Sequence, residues 1–306
     1  MYNFNPMAAQ YLFDWEPGPQ LWVWKDFIPQ GSMLLFSGFM KTGKSTFVYP
    51  LAVSVAQGRP FLGYETSQGG VLILSLEERL IDVRNRLIRF GMQHQDALHV
   101  HCGPLHNDPP SLNNIMNFIA QNHLSLVIVD TLSLFWTVND ENNNAVVVQQ
   151  MKPILELTRN TGCSVLLVHH TSKGGGDRGR DIRGASSLLG IVDQSLTLEE
   201  RQGGRSNQRV LKTLGRYDES PPELILELQD DEWRCLGTGA EAVQMNQNEL
   251  VFRVITHDPQ TVETLAVKTN LSPKQARRSL ESLTDQNRIT RSGEGKKGDP
   301  HVYQHA

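Results

Sequence analysis

The chain alternates short apolar runs with helix-like stretches between about residues 33 and 230, and this alternation constrains its fold more than any other feature. Runs such as Leu126 to Val129 and Val165 to Val168 are entirely apolar, which is typical of strands covered on both faces. Strands that alternate with helices imply a parallel α/β sheet with right-handed crossovers. The predicted strands are 33–37, 71–76, 125–130, 164–169, 194–198, 208–214 and 223–228, and the predicted helices are 45–57, 78–90, 111–122 and 145–160. The last three strands follow one another without helices, which predicts an antiparallel extension at one edge.

Composition excludes several broad classes of protein. Of the 306 residues 39% are apolar and 20% are charged, so the chain is neither disordered nor fibrous and can bury a sizeable core. No apolar run approaches the length of about 20 residues that crosses a bilayer, and no secretory leader is predicted. Three widely spaced cysteines form no CxxC or His/Cys cluster. We therefore predict a cytoplasmic protein with neither disulfides nor a zinc site.

The net charge of −4 at pH 7, taken alone, argues against a nucleic-acid partner. The charge is unevenly distributed, however. From Asn246 to the end there are 9 Lys and Arg against 7 Asp and Glu, a local excess of positive charge. Because an average over the whole chain hides a local basic face, the net charge does not decide the question.

The sequence pattern changes near Gly237, and we predict a domain boundary there. The predicted parts are an N-terminal strap at 1–30, a main α/β domain at 31–236, a linker at 237–245 and a small C-terminal domain at 246–306. The small domain is predicted to contain helices at 247–256, 262–269 and 273–287, then strands at 288–291 and 301–304 around a turn-rich loop. Three helices followed by a β-hairpin are typical of a winged helix-turn-helix domain.

Residues 38–46, GFMKTGKST, form a complete GxxxxGK[ST] motif between a predicted strand and a predicted helix. Glycines in such a loop let backbone N–H groups wrap around phosphates, and the helix N-terminus adds positive potential. Lys44 is predicted to reach the β- and γ-phosphates, and the Ser45 hydroxyl to ligate Mg²⁺. The alternative, a chance glycine-rich turn, fits this context poorly. The residues predicted to bind ATP are Gly38, Lys41, Thr42, Gly43, Lys44, Ser45 and Thr46.

Three further strand ends carry polar residues that a nucleotide site needs. Asp130 is predicted to hold Mg²⁺ with Ser45, the alternative being a cap for the following segment. Glu77 is predicted as the general base that orients water, although either it or Glu78 can instead be a favourable first-turn acid of the next helix, the role predicted for Glu78. His170 is predicted to sense the γ-phosphate, with a packed or capping histidine as the alternative. The histidine pair lacks neighbours at metal-ligand spacing.

The motifs GFMKTGKST, LSLEER, LVIVDTLSLF, LLVHHTSK and RGASSLLGIVDQSLTL occur in this order over about residues 20–230. In order and spacing they resemble the RecA-like ATPases of the plasmid RepA type, which are hexameric replicative helicases related more distantly to DnaB-type helicases and RecA. Many NTPases share the first motif, whereas HHTSK followed by RGASSLLGIVD is more specific. The resemblance implies a RecA-like P-loop NTPase core in a ring of subunits, with ATP bound between neighbours.

The resemblance also implies residues that act away from the subunit's own nucleotide. An arginine finger comes in trans from the end of a late strand, and Arg216 is the best candidate, a solvated strand-end charge being the alternative. DnaB-type relatives place a lysine two residues before that arginine, whereas Lys212 lies four before, so its role stays open. Single-stranded DNA is threaded by a loop in which Arg178, Arg180 and Arg183 are predicted to pair with phosphates; the alternative is an ordinary surface loop.

The C-terminal domain and the segment after Asp130 are further candidates for DNA contact. Leu134, Phe135 and Trp136 form either an aromatic platform for bases or part of the core. The polar side of the third C-terminal helix is placed where a recognition helix meets the major groove, and the hairpin where a wing contacts DNA. Many winged helices instead mediate protein contacts. The predicted contacts are Lys274, Gln275, Arg277, Arg278, Arg291, Lys296 and Lys297.

These patterns together predict an ATPase that uses ATP and Mg²⁺ and acts on DNA as an oligomeric helicase or translocase. The predicted partners are single-stranded DNA, duplex DNA and further copies of the chain, in a hexameric ring or a filament; no membrane partner is predicted. The alternative is an ATP-switched DNA-binding protein of replication, transposition or regulation that does not unwind DNA. A third possibility, a RecA-like phosphotransferase, lacks a separate acceptor site.

Overall fold

The computed structural model describes residues 6, 8–12, 20–136, 143–171, 185–296 and 298–306, and the statements below concern these residues. The chain forms two compact units, Met1–Glu199 with Lys212–Pro222, and Glu200–Leu211 with Glu223–Ala306. No helix in the described ranges has the length and apolar character needed to cross a membrane.

The first unit contains a mostly parallel sheet flanked by helices. Its helices are α1 (Lys44–Gln57), α2 (Leu80–Arg89), α3 (Pro109–Asn122), α4 (Leu132–Phe135), α5 (Asn144–Thr161) and α6 (Ala185–Ile191). Its strands are β1 (Trp22–Trp24), β2 (Ile28–Pro29), β3 (Met33–Gly38), β4 (Gly70–Ser75), β5 (Leu98–Cys102), β6 (Leu124–Asp130), β7 (Ser164–His170) and β8 (Gln194–Glu200). Strand β9 (Gln208–Gly215) begins in the second unit and ends in the first.

Six strands of the first unit pair in the order β8-β3-β7-β6-β4-β5, and all five pairings are parallel. Every residue of β3 and β4 is buried, as expected for central strands covered on both faces. The predicted α/β class with a mostly parallel sheet is therefore confirmed. The predicted bounds of β3, β4, β6, β7 and β8 and of α1, α2, α3 and α5 agree with the structure within about two residues.

Strand β8 is parallel to β3 on one side and lies beside β9 on the other. Ser195 Oγ donates to the Leu214 carbonyl and the Arg201 N–H to the Gln208 carbonyl, so β8 and β9 run antiparallel, as predicted for this edge.

One local feature of the first unit differs from the sequence-based expectation. Strand β5 was not predicted, because its sequence LHVHC has two histidines and a half-exposed burial pattern in place of an apolar run. Near the N-terminus, Trp24 is fully buried, stacks on Phe27 at 4.1 Å and meets Phe47 of α1 edge-on at 5.9 Å.

The second unit combines a β-hairpin, three helices and a small sheet. Its elements are β10 (Glu223–Gln229), β11 (Glu232–Cys235), α7 (Gly239–Val254), β12 (Gln260–Thr261), α8 (Val262–Thr269), α9 (Pro273–Asp285), β13 (Ile289–Ser292) and β14 (Val302–His305). Strands β10 and β11 are antiparallel, and β12-β14-β13 form a second antiparallel sheet. A buried cluster that includes Val251, Leu265, Leu280 and Tyr303 joins α7, α8 and α9 to this sheet.

Helix α7 begins eight residues earlier than the helix predicted from Gln247, so the predicted start of this helix was wrong. Thr238 and Glu241 form a capping box at its start, in which the Thr238 backbone N–H donates to the Glu241 carboxylate at 2.6 Å. Residues 239–245, predicted as most of a linker, are therefore helical.

Candidate nucleotide-binding and catalytic site

The carboxyl ends of four neighbouring parallel strands place the predicted site residues side by side. In the sheet register, Gly38 of β3 is opposite His170 of β7, Asp130 of β6 is opposite Val168 of β7, and Ser75 of β4 is opposite Asp130. The Leu76 backbone N–H also donates to the carbonyl of Asp130 at 2.8 Å, which fixes the chain just before Glu77. In open α/β sheets, ligands bind at this edge.

The loop between β3 and α1 has the backbone conformation of a phosphate cradle. Lys41 and Gly43 have left-handed φ values of 64° and 99°. A Cβ on Gly38 would lie 2.6 Å from the carbonyl oxygen of Leu198, so only glycine fits there. Thr42 is buried, its Oγ1 donates to the Phe39 carbonyl at 2.9 Å, and Thr46 is half-buried in the first turn of α1.

Helix α1 starts without the groups that usually satisfy a helix N-terminus. Its N-cap is Gly43, no side chain caps it, and no acidic residue lies in its first turn. The first backbone N–H groups of a helix need a partner, and together with the helix dipole they favour an anion. Because α1 follows the cradle directly, these groups fit the phosphates of a nucleotide.

Lys44 is almost completely buried at the centre of the loop. Its Nζ donates to the carbonyls of Gly38 and Phe39, both at 2.8 Å. An ammonium has three protons, so one remains for a phosphate oxygen. Burial lowers the pKa of Lys44 to about 8, against the raising effects of Asp130 and Glu77. A bound anion would favour the charged form.

Ser45 and Asp130 form the pair that fits a hard divalent cation. Ser45 Oγ donates to Asp130 Oδ2 at 3.1 Å. Burial raises the pKa of Asp130 to about 6, with Glu78 and Glu77 adding to the rise and Ser45 and Lys44 opposing it. A hydroxyl and a carboxylate oxygen are ligands that Mg²⁺ accepts beside phosphates. A cation here would offset the cost of the buried negative charge.

Glu77 and His170 meet beside this pair. The Glu77 side chain is 48% exposed, so water reaches it, and its Oε1 accepts from Thr131 Oγ1 at 2.9 Å. His170 Nε2 lies 4.0 Å from the same oxygen. Burial, and after it Lys44, lowers the pKa of His170, which keeps its imidazole neutral near pH 7. Its Nδ1 is buried and has no hydrogen-bond partner among the described residues.

The two histidines that end β7 point to different surroundings, as alternation along a strand requires. His169 is buried and its ring meets Trp136 edge-on at 6.0 Å. Trp136 and Phe135 are themselves only 4% and 2% exposed. Of the two alternatives left open for these aromatic residues, core packing therefore holds, and neither ring is exposed to stack on bases.

Glu78 does not begin the next helix, because α2 starts at Leu80. Its carboxylate accepts from Arg86 Nη1 at 2.7 and 2.9 Å and from the Tyr49 hydroxyl at 3.2 Å. The Arg86 guanidinium also lies 4.9 Å from the centre of the Tyr49 ring. Glu78 is thus held in a structural cluster, which leaves Glu77 as the available carboxylate. Sequence reasoning missed Tyr49 and Arg86, since their link to Glu78 is purely three-dimensional.

Arg216 lies near the amino end of β3, whereas the P-loop follows its carboxyl end. Its Nη1 is 3.7 Å from Asp193 Oδ1, and Asp193 Oδ2 accepts from the backbone N–H of Met33, the first residue of β3. The same carboxylate pairs with Arg159 at 2.8 Å. The length of β3, about 16 Å, separates this point from the P-loop, so Arg216 lies too far away to reach the P-loop of the same chain. Its side chain is 66% exposed.

Lys212, whose role the sequence left open, pairs with Glu199 at 2.6 Å across β9 and β8. The predicted DNA-contacting arginines Arg178, Arg180 and Arg183 lie outside the described residues, as does Lys297.

The basic residues of α9 form an exposed row in the second unit. Lys274, Arg277 and Arg278 are exposed, and within the described ranges none of them is within 4.0 Å of an acidic side chain. Gln275 is also exposed, but its Oε1 accepts from the backbone N–H and the hydroxyl of Ser272 in a capping box. Only its Nε2 therefore remains for a ligand.

The two described wing residues, Arg291 and Lys296, are also exposed. Lys296 pairs with Glu294 at 2.7 Å, and exposed Arg291 stands beside Tyr303.

The fold and the strand-end cluster define a P-loop NTPase. A protein-family model described as AAA domain matches residues 4–176, which is more than half of the chain. The chain belongs to this family of P-loop ATPases. The matched range includes the P-loop, Glu77, Asp130 and His170 and ends before the second unit.

Proposed function

We propose that this P-loop ATPase is Mg²⁺-dependent and acts on DNA as an oligomeric helicase or translocase of the RepA and DnaB kind. The observation that carries the catalytic part is the convergence of Lys44, Asp130 and Glu77 at adjacent strand ends, with Ser45 Oγ 3.1 Å from Asp130 Oδ2. The DNA part is carried by the exposed basic row on α9 together with the RepA-type motifs.

Each residue has a role in this proposal. The cradle and Lys44 bind the β- and γ-phosphates of ATP. Ser45 and Asp130 hold Mg²⁺, which neutralises charge on the phosphate oxygens when it is bound. Glu77 accepts a proton from the attacking water and orients it. His170, whose Nε2 lies 4.0 Å from Glu77 Oε1, would respond to the γ-phosphate beside Glu77.

Arg216 completes the site in trans. The guanidinium of Arg216 is exposed and lies away from the P-loop of its own chain, which supports contact with a neighbouring copy in a head-to-tail arrangement. Such an arrangement closes into a ring or continues as a filament. An arginine delivered to a neighbour's γ-phosphate links hydrolysis in one subunit to the position of the next.

The second unit is proposed to be a winged helix-turn-helix domain. Helices α7, α8 and α9 share one core with the β13–β14 hairpin, which supports that layout. Lys274, Arg277 and Arg278 would meet phosphates or base edges of duplex DNA from α9. The loop that contains Arg178, Arg180 and Arg183 would contact single-stranded DNA.

The exposed row on α9 also favours a second candidate function. A duplex-binding protein that uses ATP as a slow switch for its assembly needs the same surface, without strand separation. A strand-displacement assay on a partial duplex distinguishes the two. A helicase releases the strand with ATP and not with Glu77→Gln, whereas a switch releases none and binds a particular duplex sequence tightly.

A further inference from the structure

Thr131 stands at the N-cap of α4, yet its side chain does not cap the helix. The residue immediately follows Asp130, is 1% exposed and has extended backbone angles. An N-cap threonine ordinarily accepts a hydrogen bond from the second or third backbone N–H of the helix. No such bond is present here, and the Thr131 hydroxyl instead donates to Glu77 Oε1 at 2.9 Å.

The protons around this hydroxyl can be assigned. Thr131 Oγ1 also lies 2.9 Å from Ser133 Oγ. An ionised carboxylate only accepts, and a hydroxyl has a single proton, so Thr131 donates to Glu77 and must accept from Ser133. The direction is therefore fixed from Ser133 through Thr131 to Glu77. Hydrogen bonds in such a chain polarise and strengthen one another.

We propose that Thr131 is a positioning residue that holds Glu77 in place for attack on the nucleotide. This inference rests on the proposed role of Glu77 as the base. A half-exposed glutamate has several accessible rotamers, and small displacements of a base cost much of its rate. A buried hydroxyl on the adjacent strand end removes that freedom. Because Thr131 and Asp130 are consecutive residues, one strand end sets the metal ligand and the base together.

The bond also decides which oxygen of Glu77 reacts. The contacts of Glu77 with Thr131 and His170 both involve Oε1. Oε2 is therefore the oxygen that accepts the proton from water. Loss of the Thr131 hydroxyl releases both oxygens and affects turnover, whereas the cradle that binds ATP is untouched.

The test compares Thr131→Val, which keeps the shape and removes the hydroxyl, with Thr131→Ser, which keeps the hydroxyl. We expect Thr131→Val to lower kcat by about 10-fold or more, the usual effect of one hydrogen bond to a charged group, with the Kd for ATP unchanged. Thr131→Ser should restore most of the turnover. Ser133→Ala, at an exposed position, should give a smaller decrease in kcat. It takes the place of Thr131→Val in the test if Thr131→Val does not fold.

A double-mutant cycle separates this inference from the proposed function. Under single-turnover conditions, Thr131→Val should have little further effect in a Glu77→Gln background, because it acts through Glu77. Full activity of Thr131→Val, or an equal loss in both backgrounds, would overturn the inference alone. Wild-type activity of Glu77→Gln would overturn the role of Glu77 as base, and the inference with it.

Discussion

Ser45 and Asp130 are joined by a 3.1 Å hydrogen bond that links the first turn of α1 to the end of a buried strand. The same carboxylate has a pKa raised to about 6 by burial. Function and stability therefore conflict at Asp130 under the proposed role, because the ionised form proposed to hold Mg²⁺ is the form that burial disfavours.

We expect Asp130→Asn to abolish hydrolysis and to stabilise the nucleotide-free protein by about 1 to 3 kcal/mol at pH 7. The upper value corresponds to the difference between a pKa of about 6 and the ordinary 3.8. Since the folded pKa lies above the unfolded one, ionisation costs stability, and the cost grows between about pH 4 and pH 6. The free energies of unfolding of the first unit in the wild type and in Asp130→Asn should thus differ little below about pH 3.5 and most at pH 7.

The matched control for Asp130→Asn is Asp218→Asn, an exposed acid in the same unit. It should change neither stability nor its pH dependence. A destabilised Asp130→Asn at pH 7 would contradict this account of the buried carboxylate.

Lys44→Ala should weaken ATP binding by about 100-fold, since it removes a buried, charged donor. The wild-type protein should also bind ATP less tightly as the pH rises above 8, because Lys44 has a pKa of about 8 and must regain its proton to pair with phosphate. Titration with a fluorescent ATP analogue between pH 7 and 9.5 measures both effects. Lys152→Ala, an exposed lysine on α5, is the control. Unchanged affinity in Lys44→Ala would refute the phosphate role.

Arg216→Ala should lower kcat of the assembled protein by about 1,000-fold, which is the lower end of the range typical of arginine fingers. Mixing it with Lys44→Ala tests action in trans. Each variant alone is inactive. In an equal mixture, a quarter of the head-to-tail interfaces join an intact P-loop from Arg216→Ala to an intact Arg216 from Lys44→Ala. The mixture should therefore regain about a quarter of the wild-type rate. A mixture as inactive as its parts would mean that Arg216 serves only its ion pair with Asp193.

Charge reversal of Arg277 and Arg278 together should weaken duplex DNA binding by about 10- to 100-fold. It should also reduce the slope of log K against log salt concentration by about two, because two phosphate contacts are lost. Both side chains are exposed and have no acidic partner among the described residues. Fluorescence anisotropy at several salt concentrations measures affinity and slope. Arg253→Glu, exposed at the end of α7, should leave both nearly unchanged. Equal affinity in the double variant would exclude α9 from the DNA interface.

The central site was predictable because its residues follow recognisable strands. Apolar runs fix the strands, and parallel pairing then brings their carboxyl ends to one edge, so Lys44, Glu77, Asp130 and His170 meet without further information. The same reasoning favoured Glu77 as the base but could not exclude Glu78. That choice depends on Arg86, eight residues away, which engages Glu78 in an ion pair.

Other features depended on signals that were weak or overlooked. The capping box of Thr238 and Glu241 is visible in the sequence and marks the true start of α7, but the nearby glycines were interpreted as a linker. The bond from Thr131 to Glu77 had no sequence signal, because threonine before a helix ordinarily indicates a cap. The partner of Arg216, Asp193, depends on how β9 packs beside β8, which sequence spacing does not specify.

The most direct test of the whole account is steady-state ATP hydrolysis without DNA, with single-stranded DNA and with duplex, using Glu77→Gln as the blank. We expect Mg²⁺-dependent hydrolysis that single-stranded DNA stimulates several-fold and that Glu77→Gln lowers to a small residual rate. A slow rate that neither form of DNA changes would contradict a translocating motor and favour the ATP-switched DNA-binding protein.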